Sequence, residues 1–145
     1  MRAGIVEVLG AEEVNNFLES EFEKEVSTLE IKRELVPTID DAALGAKRLI
    51  EDVSCDFVVI GYALEDGEKL SHAFENSVLN AQFTLKKNIF RVIVPQDKKT
   101  EDYAREAAKE IIRYFYKPHE LQHERSTMAD GQETDSSFNP FAMFG

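Results

Sequence analysis

The chain has 145 residues but one cysteine, no tryptophan, seven glycines and four prolines. The single cysteine, Cys55, excludes an intrachain disulfide framework and suits a reducing compartment, so a cytoplasmic location is expected. No run approaches the ~18 apolar residues that a membrane span requires. The opening Met1-Arg2-Ala3-Gly4-Ile5-Val6-Glu7 has no long apolar core and no cleavage pattern, so it is not expected to act as a signal peptide. Positive charge is scarce: 17 basic residues stand against 28 acidic ones, a net charge of −11. Such a field repels nucleic-acid backbones and anionic membrane surfaces, so neither is expected as a partner. An anionic substrate would need local donors to hold it. There is no Gly-x-Gly-x-x-Gly and no Walker A sequence, so a nucleotide fingerprint is missing. Internal repeats are also lacking.

What is present is an ordinary apolar fraction of 43%. A chain of this length is expected to form one domain and to bury roughly two thirds of its unfolded surface without disulfide or metal. Residues 3–9 are a short β-rich run. Residues 11–26 place Val14, Phe17, Leu18, Phe22 and Val26 at helical spacing. Residues 27–36 read as a second strand, stopped by Pro37. Asp40 or Asp41 is positioned to cap the next helix, which runs to about Asp52 with Ala43, Ala46, Leu49, Ile50 and Val53 on one face.

Residues 55–61 (CDFVVIG) are the clearest strand, continuously apolar as expected when both sheet faces are buried. Gly61 is expected to close it and open a polar loop, 62–69. A third helix over about 70–87 carries Ala73, Phe74, Val78, Ala81 and Leu85. Residues 89–94 form a fourth strand ended by Pro95. Thr100 is expected to cap a fourth helix, with Glu101 and Asp102 in the first turn and an apolar stripe from Ala104 to Phe115. From about His123 the composition turns polar, and 122–145 is expected to be a flexible tail with an aromatic-rich end at Phe138, Phe141 and Phe144.

Four β-α units in succession require a parallel sheet with right-handed crossovers and helices on both faces. Such sheets bind ligands at the carboxyl ends of their strands. That rule nominates the loops at 10–13, 37–41, 61–69 and 95–99.

The His119-Glu120-Leu121-Gln122-His123 sequence matches H-E-x-x-H, which on a helix offers two imidazoles to zinc and a carboxylate base. It directly follows Pro118, at the edge of the expected tail, with no third ligand placed by recognisable structure. It therefore reads as an exposed polar turn, and no metal site is assigned. His72 is the one histidine inside the expected fold, at the start of the third helix beside a nominated loop. An imidazole there fits proton transfer and a plain surface position equally well. Cys55 reads as structural. The acidic run over 12–30 reads as a solvated helix face. Asn139-Pro140-Phe141 resembles a short docking motif, and the aromatic end could dock on a neighbouring subunit.

The order of these pieces resembles the archaeal-type riboflavin synthase family, which is related to lumazine synthase. Val36-Pro37-Thr38-Ile39-Asp40-Asp41 is similar to the family's Val-Pro-Gly-Ile-Lys-Asp at the end of strand two. Ala46-Lys47-Arg48-Leu49-Ile50-Glu51 is similar to its Lys-Lys-Leu-Leu-Glu helix, and Cys55-Asp56-Phe57-Val58 to its Cys-Asp-Ile-Val strand. Ser71-His72-Ala73 matches its Ala-His-Glu, Ala81-Gln82 its Ala-Gln, and Tyr116-Lys117-Pro118 its Phe-Lys-Pro. The likeness is collinear and covers most of residues 1–121, taken as the domain.

The resemblance implies a three-layer α/β fold, a four-stranded parallel sheet in the order 2-1-3-4 flanked by helices, lumazine synthase-like. It implies a homopentamer with sites between neighbouring subunits. It implies a transferase that dismutates two molecules of 6,7-dimethyl-8-ribityllumazine into riboflavin and a ribitylaminopyrimidinedione. No organic cofactor is implied, and the need for a divalent metal is left open. Resemblance and strand-end position together mark His72 for proton handling and Thr38, Ile39, Asp40, Gly61, Tyr62, Pro95 and Gln96 for lining the pocket. The first loop departs from the family. Where the family has Asp-Thr-Thr-Phe-Ala-Arg, this chain has Glu7-Val8-Leu9-Gly10-Ala11-Glu12, exchanging an aromatic for Gly10 and an arginine for Glu12. Thr38 replaces a glycine, Ala73 a glutamate, and 61–67 lacks the family's Met-Pro-Gly-Lys; Tyr62 is the candidate replacement ring. These departures keep two alternatives in view: a non-catalytic paralogue that binds a pteridine or flavin or only assembles, and a 6,7-dimethyl-8-ribityllumazine synthase.

Overall fold

A computed structural model of the chain describes residues 1–116. The central strands are apolar on both sides because both sides are covered. β1 (Arg2–Val8) and β3 (Phe57–Ala63) bury Ala3, Ile5, Val6, Phe57, Val58, Val59 and Ile60 completely. β2 (Glu30–Val36) lies outside β1, and β4 (Asn88–Val94) outside β3, giving the order β2-β1-β3-β4. All three pairings are parallel, with Ile5 opposite Arg33 and Val59, and Val59 opposite Phe90. The four-stranded parallel architecture and its order are those expected.

Each crossover is a helix: α1 (Glu12–Glu25), α2 (Ala42–Glu51) and α3 (His72–Leu85), with α4 (Thr100–Tyr116) after β4. α1 and α4 pack together on one sheet face, and α2 and α3 on the other. Alternation along the strands serves both layers. Phe57 and Phe90 point to the α1–α4 side, where Phe57 stacks on Phe115 with centroids 4.4 Å apart and meets Phe22 edge-on at 6.2 Å. Phe90 meets Phe57 edge-on at 6.1 Å. Burial of each ring contributes about 1.5–3 kcal/mol, and the pair geometry adds to it. This aromatic cluster gathers around the starts of β3 and β4, so the strand tips at the other end are free of it.

Several local expectations are corrected. β3 does not close at Gly61 but continues through Tyr62 to Ala63, because its pairing with β4 runs on to Ala63 opposite Val94. Neither Asp40 nor Asp41 caps α2 with its side chain. A 3-10 turn, Ile39–Asp41, intervenes, and the two carboxylates accept hydrogen bonds from Ser71 and Thr38 instead. Thr100 is the first residue of α4 rather than its cap. The acidic α1 is not solvated throughout. Glu21 is buried at 1% exposure and paired with Arg105 of α4 at 3.1 Å, and Asn15 is fully buried. α3 buries only Phe74 and Val78, while Ala73 is exposed. Cys55 is buried, and burial pushes its thiol pKa to about 11, as a structural cysteine requires. The H-E-x-x-H sequence, the 122–145 segment and most of Tyr116-Lys117-Pro118 lie outside the described residues. No helix among the described residues is long and apolar enough to cross a membrane.

Candidate functional site at the strand carboxyl ends

Each helix runs back antiparallel to the strand before it, so helix starts and strand ends meet at one end of the sheet. The loops gathered there hold the nominated residues in two groups. In the first, the turn after β2 approaches the start of α3. Ser71 Oγ caps α3 by accepting from the Phe74 amide at 3.1 Å, and it donates to Asp40 Oδ1 at 3.2 Å. Thr38 Oγ1 donates to Asp41 Oδ2 at 2.8 Å, which shapes the turn. Ile39 packs partly buried against the core below. His72, the residue after the cap, is exposed. Asp40 and His72, distant in sequence, therefore flank Ser71.

The second group joins the loops after β3 and β4. Leu64 donates from its amide to the Val94 carbonyl at 3.0 Å, and Gln96 Nε2 donates to Asp66 Oδ1 at 2.8 Å. Tyr62 is half-buried, and its hydroxyl donates to Glu68 Oε2 at 2.5 Å. The other oxygen of Glu68 accepts the Glu65 amide at 2.9 Å, so one carboxylate both folds the loop and anchors the ring. Burial first, and the Glu68 carboxylate second, push the Tyr62 phenol up to about 12. Tyr62 is therefore a fixed, protonated ring near neutral pH. Pro95 is partly buried, and its carbonyl accepts the Lys98 amide at 3.2 Å in the turn that presents Gln96.

Gly61 lies below these loops. It is fully enclosed, and a Cβ built on it would fall 2.2 Å from Asn15 Oδ1 and 2.8 Å from Leu18 Cδ1. The Asn15 amide donates to the Ala11 carbonyl at 2.9 Å and to the Gly61 carbonyl at 3.2 Å, tying the first turn of α1 to the end of β3. Gly61 thus acts by the space it leaves for Asn15. Beside it, Gly10 turns the first loop with φ at +94°, and its amide donates to the Glu12 carboxylate at 2.8 Å. The glutamate standing where the resembled family has arginine is folded back on its own loop.

Ser71, Glu68, Asn15 and Asp66 were not singled out from the sequence, although Asp66 and Glu68 lie in the nominated 61–69 loop and Ser71 stands immediately before a helical stripe. The strand-end loops and the first turn of α1 carry Glu12, Glu13, Asp40, Asp41, Glu65, Asp66, Glu68 and Asp97 against Lys69, Lys98 and Lys99. This surface favours neutral, hydrogen-bonding ligands over polyanions. Among the described residues no group of three or more His, Cys, Asp or Glu side chains is arranged to hold a metal. A hollow of about 330 Å³ lies elsewhere, between α2 and α3.

Together these features define an open parallel α/β protein with a polar strand-end surface, two loop groups and, among the described residues, one exposed imidazole. No protein-family model matches the chain. It is similar to the riboflavin synthase of Methanothermobacter thermautotrophicus, 28% identical over 116 residues, covering 72% of this chain and 76% of that protein. The riboflavin synthase of Methanothermobacter marburgensis is 27% identical over 113 residues, covering 70% and 74%. Among solved structures, a GDP-L-fucose synthetase from Naegleria fowleri bound to NADP aligns over 86% of this chain at 13% identity and a TM-score of 0.39; the chain spans 47% of its length.

Proposed function

We propose that the chain is a riboflavin synthase of the archaeal type, a transferase that converts two molecules of 6,7-dimethyl-8-ribityllumazine into riboflavin and a ribitylaminopyrimidinedione. The likeness to two archaeal riboflavin synthases over more than two thirds of both partners carries this reading. The site chemistry agrees with it. The substrate is uncharged and rich in hydroxyls and ring amides, which an acidic, hydrogen-bonding surface can hold. A four-carbon unit passes from one lumazine to the other, and the donor is left as the pyrimidinedione. The substrate's own acidic methyl group supplies the carbanion, so the protein's tasks are to stack two flat rings and to move protons.

His72 is the proton carrier in this reading. It is exposed at the strand ends beside Ser71, whose hydroxyl bonds to Asp40. Thr38, Ile39, Asp40, Tyr62, Pro95 and Gln96 are the substrate-contacting residues of this reading, with Gly61 enclosed beneath them. Tyr62 offers a single ring, and two stacked substrates need walls on both sides. The second wall then comes from a neighbouring copy, in keeping with a homopentamer.

Incubation of the purified protein with 6,7-dimethyl-8-ribityllumazine tests the proposal through the appearance of riboflavin fluorescence. Turnover is expected, with His72→Ala reducing kcat by about 10²–10⁴-fold, the usual contribution of a positioned acid–base group. No product at high protein concentration would exclude catalysis. A non-catalytic pteridine- or flavin-binding paralogue is the second reading, favoured by the first loop, where Gly10 and Glu12 provide neither a ring nor a cation. Quenching of riboflavin fluorescence without turnover would support it.

A further inference from the structure

Tyr62 stands on a definite side of the sheet. Successive side chains of a strand point to opposite faces. Gly61 directs its Cβ position toward Asn15 and Leu18 of α1, so Tyr62 points to the other face, on which α3 begins with His72. Its ring packs partly buried against the core. The tip of the ring is held as well. The hydroxyl donates to Glu68 Oε2 at 2.5 Å, and Glu68 Oε1 accepts the Glu65 amide at 2.9 Å. The Glu68 amide donates in return to the Glu65 carbonyl at 2.9 Å, closing a turn whose third residue, Gly67, has φ at +76°. Glu68 thus fixes its own turn from both ends and has little freedom left when it meets the phenol. The turn is tied in addition to the next loop, by Gln96 Nε2 to Asp66 Oδ1 at 2.8 Å and by the Leu64 amide to the Val94 carbonyl at 3.0 Å.

This wiring decides what Tyr62 can do. Its one hydroxyl proton is committed to a carboxylate, and burial together with that carboxylate keeps the phenol protonated near neutral pH. The hydroxyl is therefore no proton carrier, and what the side chain has left to offer is the flat face of its ring. Tyr62 is the one aromatic residue in the four strand-end loops, 10–13, 37–41, 61–69 and 95–99. A ring free to turn loses conformational entropy when it stacks on a ligand, whereas a ring held beforehand does not. The Glu68 carboxylate removes that freedom in advance.

We propose that Glu68 is a positioning residue for the riboflavin synthase reaction: it fixes Tyr62 so that the ring face, and not the hydroxyl, holds one lumazine. This rests on the proposed function. The test compares Glu68→Ala, Tyr62→Phe and the double variant with the parent, in turnover of 6,7-dimethyl-8-ribityllumazine and in riboflavin binding followed by fluorescence quenching. Glu68→Ala and Tyr62→Phe release the same ring, so each is expected to raise KM and the riboflavin Kd about 3–10-fold, the worth of one hydrogen bond, with a smaller change in kcat and an unshifted pH profile. The double variant should bind no more weakly than the weaker single one, because Glu68 acts through the hydroxyl. Tyr62→Leu, which removes the ring, should weaken binding further, by roughly 5–150-fold in all, the scale of one aromatic–heterocycle stack. Losses that multiply in the double variant would mean that Glu68 meets the ligand itself, and would overturn the proposal. So would a loss confined to Glu68→Ala, since Tyr62→Phe leaves the Glu65–Glu68 turn intact, or a shifted pH profile of kcat in Tyr62→Phe. A parent that turns over or binds, with Glu68→Ala its equal, overturns this inference alone. A parent that does neither overturns the proposed function and this inference with it.

Discussion

Gly61→Ala is the substitution whose outcome follows most directly from the geometry at the strand ends. The added methyl carbon would stand 2.2 Å from Asn15 Oδ1 and 2.8 Å from Leu18 Cδ1. Neither neighbour can swing away freely. Leu18 is fully buried, and the Asn15 amide is held by its bonds to the Ala11 and Gly61 carbonyls. Turning Asn15 aside forfeits two hydrogen bonds at about 1 kcal/mol each, and residual overpacking adds about 1–3 kcal/mol. The backbone at Gly61 is not left-handed, so alanine regains about 0.4–1 kcal/mol by restricting the unfolded chain. A net loss of about 2–4 kcal/mol is expected, seen in urea unfolding as a midpoint about 1–2 M lower. Asn15→Ala alone removes the obstructing oxygen and costs about 2 kcal/mol for the same two hydrogen bonds, to the Ala11 and Gly61 carbonyls. The double variant should then be more stable than the two losses added together, with a coupling of about 1–3 kcal/mol. Gly61→Ala as stable as the parent, or losses that simply add, would refute the close contact between α1 and β3.

Ionisation of Tyr62 is expected near pH 12, measured by tyrosinate absorbance, and Glu68→Gln should bring it back toward the ordinary value near ~10. The fold favours the neutral phenol, so its contribution to stability is present below the unfolded-state pKa and fades as pH rises from there through the folded value. Arg105→Ala should lower the urea midpoint more than Glu101→Ala, because Glu21 would lose its partner at 1% exposure whereas Glu101 is exposed at 44%. Equal losses would count against a buried Glu21. Cys55 should react with iodoacetamide about a hundredfold more slowly at pH 8 than an ordinary thiol, from the lowered thiolate fraction alone, and rapidly in urea.

The β-α alternation was legible because periodicity reports burial. The apolar run from Phe57 to Ile60 marks a strand covered on both faces, and the stripe on α4 marks its single buried side. The strand order came from resemblance, since spacing along a chain does not say which strands are neighbours. Gly61 misled at the end of β3. A glycine in a strand reads as a stop, yet here it admits another element's side chain. Asn15 and Glu21 sit on an acidic helix, and only the tertiary partners Gly61 and Arg105 distinguish them from solvated residues. At the site, position was readable but connection was not. Asp40 meets Ser71 across 31 residues and Gln96 meets Asp66 across 30, pairings that only the crossovers create. Glu68 lay in a polar loop that looked the same whether it held Tyr62 or water.

A crystal structure of the protein with bound 6,7-dimethyl-8-ribityllumazine tests the assignment of the strand ends most directly. The heterocycle is expected above the ends of β2 and β3, near Tyr62, with His72 within hydrogen-bonding reach of a ring substituent and a neighbouring copy closing the other side. A heterocycle seated in the α2–α3 hollow, or strand-end loops left empty at saturating ligand, would contradict it.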